Sequence, residues 1–590
     1  MCGIIGYTGK NRAAPIVLQG LRKLEYRGYD SAGMASALNG ALYFKKAAGK
    51  IDDIDKKYEL GELPGNTAIA HTRWATHGGV TQENAHPHTD CKNSIAVVHN
   101  GIVDNYQELR SALIRKGHVF DSETDTEVIP HLIEEYLKEG NTFEQATRLA
   151  SQKLEGSYAF IVISLDTPGR ILAIRKDNPL VIGIGRHGTF AASDTLSLQE
   201  CESVVFPDDG ELAILRSDGV DFLDIEGEQI EKESSTLDMN NYQYDKGSYE
   251  YFMLKEIMEE PQAIRAATIQ DEQIFTRLAM DILRARQVVI TACGTSRYAA
   301  LVGRYLFSDV AKQFCDVVMA SEFEYFSKSI DGSTLVIAVS QSGETADVIE
   351  GIKRAKANGA QIVSIVNRYG SVLSRMSDDV LYLGCGPEVA VAATKSMVSQ
   401  MAIFYLLAYA MRNEFKIAAN NLRHLADELE RTLKGNGKGI VRLAEAFKDI
   451  EDFYYVARGM NSPIASEAAL KLKEISYIHA EGLPAGELKH GTLALIDDGT
   501  PVVVLCPNDN TFSDTISNGI EAKARGAYII GVSDIEHELF DFWIKIPHVD
   551  GFLYPLISVA PLHLLAYYLA LKRGTDPDKP RNLAKSVTVK

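Results

Sequence analysis

Cysteine is scarce in this chain, with seven in 590 residues and no CxxC pair. That excludes a disulfide framework and a zinc ribbon, and it points to a reducing, cytoplasmic compartment. Basic charge is also short. Lys and Arg number 61 against 79 Asp and Glu, for a net charge of −18. Nucleic acid is therefore a poor partner, since phosphate backbones need a basic surface. A small anion held in a local pocket remains compatible with this balance. Long uninterrupted apolar runs are missing too. Met397–Met411 is too short to span a bilayer and carries Gln400, while Phe552–Leu571 contains Pro555, Pro561 and His563. Both read as buried core helices, and no membrane association is expected. The opening MCGIIGYTGK has neither a basic nor an apolar targeting region. What is present is an ordinary globular balance, 46% hydrophobic and 24% charged. The length predicts about three to five domains.

Residues 1 to 235 read as strands and turns with few helices. Short β-rich runs at Ala68–His71, Ile95–His99, Ala159–Ser164, Ile171–Ile174, Leu180–Ile184 and Leu212–Leu215 are punctuated by Gly, Asp and Asn. A helix is expected at Asp125–Lys138, capped by Thr124 or Asp125. This is an α+β pattern of packed layers. A polar stretch at 236–250 reads as a linker. Beyond it, apolar strands alternate with amphipathic helices, the mark of parallel βαβ units. Strands at Gln287–Thr291, Thr334–Val339 and Gln361–Val366 have counterparts at Asp452–Ala457, Pro501–Leu505 and Ala527–Val532. The matching intervals predict two copies of one doubly wound α/β fold, at 251–420 and 440–575. Between them, Asn420–Lys434 and Ile440–Phe447 read as two helices joined at Gly435–Gly439. Residues 576–590 form a polar tail.

Cys2 follows the initiator Met, and its small size permits Met removal. Its thiol would then share a residue with a free α-amino group, whose unperturbed pKa of about 7.7–8 suits a general base. That is the arrangement of an N-terminal nucleophile. Alone it is weak, but its company is apt. HTRWATHG at 71–78 offers Arg73, a planar fork suited to a carboxylate, with Thr76 and His77. HNG at 99–101 offers an amide side chain and a flexible backbone N–H, the donors an oxyanion hole requires. SETDTE at 122–127 offers Asp125 for a substrate ammonium. Together these would grip an amino acid by both ends and activate its amide.

With MCGIIGYTG, LEYRGYDSAG at 24–33, HTRWATHG, NAHPH at 84–88, HNGI and SETDTE, the first part resembles the glutaminase domain of class II glutamine amidotransferases. The resemblance implies a layered αββα N-terminal nucleophile fold over residues 2–235. It implies Cys2 as nucleophile, Asn100 and Gly101 as oxyanion hole, and Arg73, Thr76, His77 and Asp125 as the glutamine pocket. Trp74 resembles the residue that gates ammonia. His71, His77, His86, His88 and His99 read as structural, and no metal is expected.

In the second part, ACGTS at 292–296 and SQSGET at 340–345 each follow an apolar strand and open a helix. Their hydroxyls and backbone N–H groups suit a phosphate at a helix N-terminus. Either loop alone is as readily a helix cap. Neither a Walker loop nor GxGxxG is present, so nucleotide and dinucleotide cofactors are not expected. These loops resemble the sugar isomerase (SIS) domain. EVAVAATK at 388–395, EAALKLKEISYIHAE at 467–481, AGELKHG at 485–491 and PRNLAKSVTV at 580–589 resemble the isomerase half of the glutamine–fructose-6-phosphate aminotransferase (isomerising) family. That resemblance implies a phosphate held by Thr295, Ser296, Ser340, Gln341, Ser342 and Thr345. It implies Lys585, in a tail at 576–590, as Schiff-base lysine, and Glu474 as proton shuttle between C1 and C2. Lys471 would move protons among hydroxyls. His490 would open the furanose ring from a neighbouring subunit, making a homodimer. The substrates would be glutamine and fructose 6-phosphate, with no cofactor. Without that context, Lys471 and Glu474 read as a helix surface pair at i,i+3.

Overall fold

The computed structural model describes residues 2–198, 200–236 and 246–588. Most of the expected linker, residues 237–245, lies outside the described residues. The chain divides into two compact units, Met1–Gln243 with Ser586–Lys590 and Tyr244–Lys585.

The first unit is built on two sheets, of eight and seven strands. Successive strand residues face opposite sides, so each strand feeds two cores. Gly3–Gly9 sends Ile5 and Tyr7 into a core with Val17 and Leu21 of the helix Ala13–Leu24. Its Ile4 points the other way, joining Ile69, Val98 and Ile161 between the sheets. Ile95–Val103 in the second sheet turns Val97 outward, against Val128, Ile129 and Phe143 of the helices Val128–Lys138 and Phe143–Lys153. The result is the expected helix–sheet–sheet–helix layering. The helix expected from Asp125 starts instead at Val128, and neither Asp125 nor Thr124 caps it. Asp125 Oδ2 accepts the Val103 N–H at 2.8 Å, fixing the SETDTE turn to the strand Ile95–Val103. A tertiary bond has taken the carboxylate that a local cap would use.

The second unit holds two five-stranded parallel sheets. In space the first runs Asp316–Met319, Gln287–Ala292, Thr334–Ser340, Gln361–Val366, Asp379–Tyr382. The second runs His479–Pro484, Asp452–Ala457, Pro501–Leu505, Tyr528–Ser533, Phe542–Lys545. Each sheet thus places its second strand outside its first and its third on the other side. Such an order has a switch point between first and third strands, where connections leave in opposite directions and open a crevice beyond the carboxyl ends.

The two helices expected around Gly435–Gly439 are one. A single helix of 32 residues runs Phe415–Ala446 through all three glycines. Each glycine costs about 1 kcal/mol against alanine in a helix interior. Burial offsets this: Leu425, Leu429 and Leu433 before the glycines and Ile440 and Leu443 after them enter the same core. Asn436 Nδ2 donates to the Lys545 carbonyl at 2.8 Å, and a Cβ on Gly439 would lie 3.3 Å from Phe542 Cζ. Gly551–Lys572 is long and apolar enough to cross a membrane by composition, yet 89% of its most apolar window is buried inside the unit. It is a core helix, as is Lys395–Ala410.

Candidate active sites

In the first unit, antiparallel pairing sets Gly3 opposite Thr72 and so brings Cys2 to the end of the strand Thr67–Arg73. Cys2 Sγ accepts the Trp74 N–H at 3.3 Å. Gly3 permits the approach, since a Cβ there would lie 2.7 Å from Leu24 Cβ. Asn100 reaches across from the second sheet, its Nδ2 donating to the Cys2 carbonyl at 3.0 Å. Gly101 has φ +128, and a Cβ would sit 2.0 Å from the Ser157 carbonyl. Only glycine serves there. Desolvation raises the Cys2 thiol pKa, opposed by the chain's amino terminus, the Trp74 N–H and Arg73. Arg73 is buried and curls the following loop around itself, donating to the carbonyls of Gly79 at 3.1 Å and of His77. Desolvation also lowers the Arg73 pKa, against the charges of Cys2 and Asp125. Cys2, Arg73, Asn100 and Asp125 are thus gathered. His77 packs edge-on against Tyr106 at 5.3 Å, and Trp74 against Tyr29 at 5.9 Å. Thr76 is exposed and, among the described residues, bonds to none of the others.

His71, His86, His88 and His99 pack into one buried group rather than standing on open loops. His71 and His86 stack at 3.9 Å. His71 Nε2 meets the His99 carbonyl at 2.9 Å, and His99 Nδ1 meets Thr126 Oγ1 at 2.8 Å. Burial drives the pKa values of His71, His86 and His88 well down and lowers that of His99. A neutral stack therefore ties the NAHPH loop, the Asn100 strand and the SETDTE turn together.

In the second unit, ACGTS and SQSGET follow the first and third strands of one sheet and flank its switch point. Thr295 and Ser296 lie in the first turn of the helix Gly294–Ala311, and Thr345 stands just before the helix Ala346–Ala357. Ser340 Oγ and Thr345 Oγ1 lie 2.9 Å apart, and Ser340 Oγ accepts the Gly343 N–H at 3.1 Å. Ser342 Oγ accepts the Glu344 N–H at 3.2 Å. Gly343 has φ +65, and a Cβ there would strike Ser371. Gln341 is partly exposed, its carbonyl accepting the Asn367 N–H at 3.1 Å.

Beside these loops is a buried ionic cluster. Lys471 is fully buried on the helix Ser462–Ser476, 2.5 Å from Glu474 Oε2 and 3.4 Å from Glu467 Oε1. The surface-pair reading of Lys471 and Glu474 is thereby overturned. Thr295 Oγ1 donates to Glu467 Oε1 at 3.2 Å, so a hydroxyl of the ACGTS loop is joined to the lysine cluster. Burial would lower the Lys471 pKa, but the Glu467 and Glu474 charges raise it; desolvation raises that of Glu474. Lys585 Nζ lies 2.5 Å from Glu388 Oε2. His490 is exposed at the end of the 3-10 segment Ala485–His490 and, among the described residues, makes no hydrogen bond to this cluster.

Whole-length comparison decides the family. The glutamine–fructose-6-phosphate aminotransferase [isomerizing] of Thermococcus kodakarensis is 48% identical over 602 residues, covering 100% of both chains. That of Pyrococcus horikoshii is 47% identical over 598 residues, again covering 100% of both. The chain belongs to this family. Within the aminotransferase frame, the SIS domain family matches residues 281–410 and 447–573, and the glutamine amidotransferase domain family matches residues 71–200. Among solved structures, the C-terminal domain of the glucosamine-fructose-6-phosphate aminotransferase from Francisella tularensis is 34% identical with TM-score 0.53. It covers 57% of this chain and 99% of that one.

Sequence reasoning missed several charged residues of this aminotransferase. Glu388 opens the quoted EVAVAATK motif but was not singled out. Burial would raise its pKa, yet Lys585 and the N–H groups of Ser396 and Thr394 hold it at about 2. Glu256, buried near Glu388, is pushed up to about 8. His563 Nδ1 lies 2.7 Å from Glu260 Oε1, and its Nε2 lies 3.8 Å from Glu467 Oε1. Charged residues set among apolar ones were the available signal, since such groups are rarely buried unpaired.

Proposed function

We infer that this chain makes glucosamine 6-phosphate and glutamate from fructose 6-phosphate and glutamine, the first step of amino-sugar (UDP-N-acetylglucosamine) synthesis. The observation that carries the reading is the meeting of Thr295, on a switch-point loop, with the buried Glu467–Lys471–Glu474 row. A loop suited to phosphate there adjoins groups suited to proton transfer. We divide the chain into a glutaminase domain at 2–235, a linker at 236–250, SIS domains at 251–420 and 440–575, and a catalytic tail at 576–590.

In the first unit the Cys2 sulfur attacks the glutamine side-chain carbonyl. Asn100 Nδ2 and the Gly101 N–H stabilise the oxyanion. Arg73 and Asp125 hold the α-carboxylate and α-ammonium, with Thr76 and His77 lining the pocket. Ammonia leaves under the gate of Trp74, and water hydrolyses the thioester to glutamate. In the second unit Ser296, Ser340, Gln341, Ser342, Thr345 and Thr295 hold the phosphate. Lys585 condenses with the open-chain ketone and loses water to form a Schiff base. Ammonia displaces the lysine, giving the imine of fructose 6-phosphate. Glu474 removes a proton from C1 and returns one to C2, and Lys471 moves protons among hydroxyls. His490 opens the sugar ring from the neighbouring subunit of a cytoplasmic homodimer; its exposed position in one chain leaves it available to a second.

The test is incubation with fructose 6-phosphate and glutamine labelled with nitrogen-15 in the amide. Labelled glucosamine 6-phosphate and glutamate should form in equal amounts. Glutamate without amino sugar would refute the synthase reading.

A further inference from the structure

Four metal-ligating atoms converge in the first unit, away from Cys2. Cys91 lies in the turn between the strands His88–Thr89 and Ile95–Val103, and His118 in the connection before the helix Val128–Lys138. His131 and Glu134 lie on one face of that helix at i,i+3. Cys91 Sγ is 3.5 Å from His118 Nδ1 and 3.6 Å from His131 Nδ1. The two Nδ1 atoms are 3.1 Å apart. Glu134 Oε2 is 3.1 Å from His118 Nδ1 and 3.7 Å from His131 Nδ1. A tetrahedral zinc ion, with bonds of ~2.0–2.1 Å to nitrogen or oxygen and ~2.3 Å to sulfur, would separate its ligand atoms by roughly 3.3 Å, or 3.6 Å where one is sulfur. The five spacings above, 3.1–3.7 Å, bracket those figures, and all four atoms lie within 4.8 Å of one another.

The surroundings fix the polarity. His118 Nε2 lies 2.8 Å from Glu135 Oε1, so it carries the proton and Nδ1 presents a lone pair. His131 Nε2 faces Glu127 Oε1 at 3.8 Å and, though buried, has no hydrogen-bond partner among the described residues. A carboxylate behind a ligating imidazole is how proteins orient metal-binding histidines. Lys138 holds the other Glu134 oxygen at 3.0 Å, and Oε2 faces the cluster, where it also accepts the Cys91 N–H at 3.4 Å. The Cys91 turn is itself pinned, since Asp90 Oδ1 accepts the N–H groups of Ser94 at 2.6 Å and Ile95 at 2.8 Å. Two imidazole nitrogens, a carboxylate oxygen and a thiol thus meet at one spot. Cys91 is exposed and the other three residues are buried, so an ion can enter from solvent.

We propose that Cys91, His118, His131 and Glu134 form a tetrahedral zinc site. It departs from the expectation of no metal, which weighed other histidines. Four protein ligands leave no open position, so the site is structural. Binding converts the Cys91 thiol to a zinc-bound thiolate and releases one proton to water. The ion ties the Cys91 turn and the His118 connection to the helix that follows the Asp125 turn.

The test uses the full chain, stripped with chelator and reloaded with zinc or cobalt(II) alone. The expected result is one zinc per chain, and a cobalt form with intense tetrahedral d–d bands plus a thiolate charge-transfer band. Cys91→Ser should lose the charge-transfer band and the zinc-dependent rise in melting temperature while keeping glutamine hydrolysis. Glu135→Gln, which removes the carboxylate behind His118 along with its pairs to Lys116 and Lys138, should weaken zinc binding about 10–100-fold. Zinc well below one per chain, octahedral cobalt, or a charge-transfer band surviving in Cys91→Ser overturns the site. In those cases a proton shared by the histidines and Glu134 is what the cluster holds.

Discussion

Lys585 Nζ and Glu388 Oε2 lie 2.5 Å apart, with side chains 1% and 0% exposed. Glu388 is further fixed by the N–H groups of Thr394 at 2.9 Å and Ser396 at 3.0 Å. The C-terminal tail therefore carries a charged end into a dry, fully bonded carboxylate. Removing one partner of such a pair strands the other.

Glu388→Gln should destabilise the second unit by about 3–5 kcal/mol, the usual effect of breaking a buried pair. Denaturant unfolding followed in that unit measures it. Lys585→Arg keeps the charge but not the nucleophilic amine. Borohydride with fructose 6-phosphate should label Lys585 in the native chain and nothing in this variant. An adduct on Lys471 or Lys489 would reassign the Schiff base.

Cys2→Ala should abolish glutamate release and leave fructose 6-phosphate binding unchanged, because Cys2 and the ACGTS and SQSGET loops belong to separate units. Glutamate release and sugar-phosphate titration are measured independently. Residual glutaminase activity at the native rate would remove Cys2 from its role.

Ser342→Ala and Thr345→Ala should each weaken fructose 6-phosphate binding by about 1–3 kcal/mol, the range for a hydrogen bond to a charged group. Calorimetric titration reads this directly. Native affinity in both variants would move the phosphate to another loop.

His563 should make the second unit lose stability in alkali. Burial alone would lower its pKa, but Glu260 and Glu467 outweigh it and raise the value to about 9. In the unfolded chain the imidazole titrates near ~6.5. A raised pKa stabilises fully below the unfolded value, and that contribution fades as pH climbs from about 6.5 to about 9. The loss is about 3 kcal/mol, from a shift of roughly 2.5 units at 1.36 kcal/mol each. Melting temperatures should fall across this window in the native chain and stay flat in His563→Gln. Parallel slopes would show that another group is titrating.

The strand intervals were readable because parallel buried strands are continuous apolar runs, and the repeat doubled the signal. Gln361–Val366 emerged with its written bounds. Gly435–Gly439 misled because propensity is local, whereas Leu433 and Ile440 are anchored by packing across the unit. Asp125 was read for a substrate ammonium, while its bond to the Val103 strand was not legible, since Val103 lies 22 residues away. Cys2 and Lys585 stood out by motif. Glu467 did not, because its partners Thr295 and His563 lie far along the chain in either direction.

The duplicated sheets have one further consequence. The first copy contributes the hydroxyl loops, and the second contributes the helix Ser462–Ser476 with Lys471 and Glu474. Thr295 and Glu467 are where the two meet. On the function proposed above, the twins are complementary halves, one gripping an anion and the other moving protons. On that reading, neither copy alone would hold a complete site.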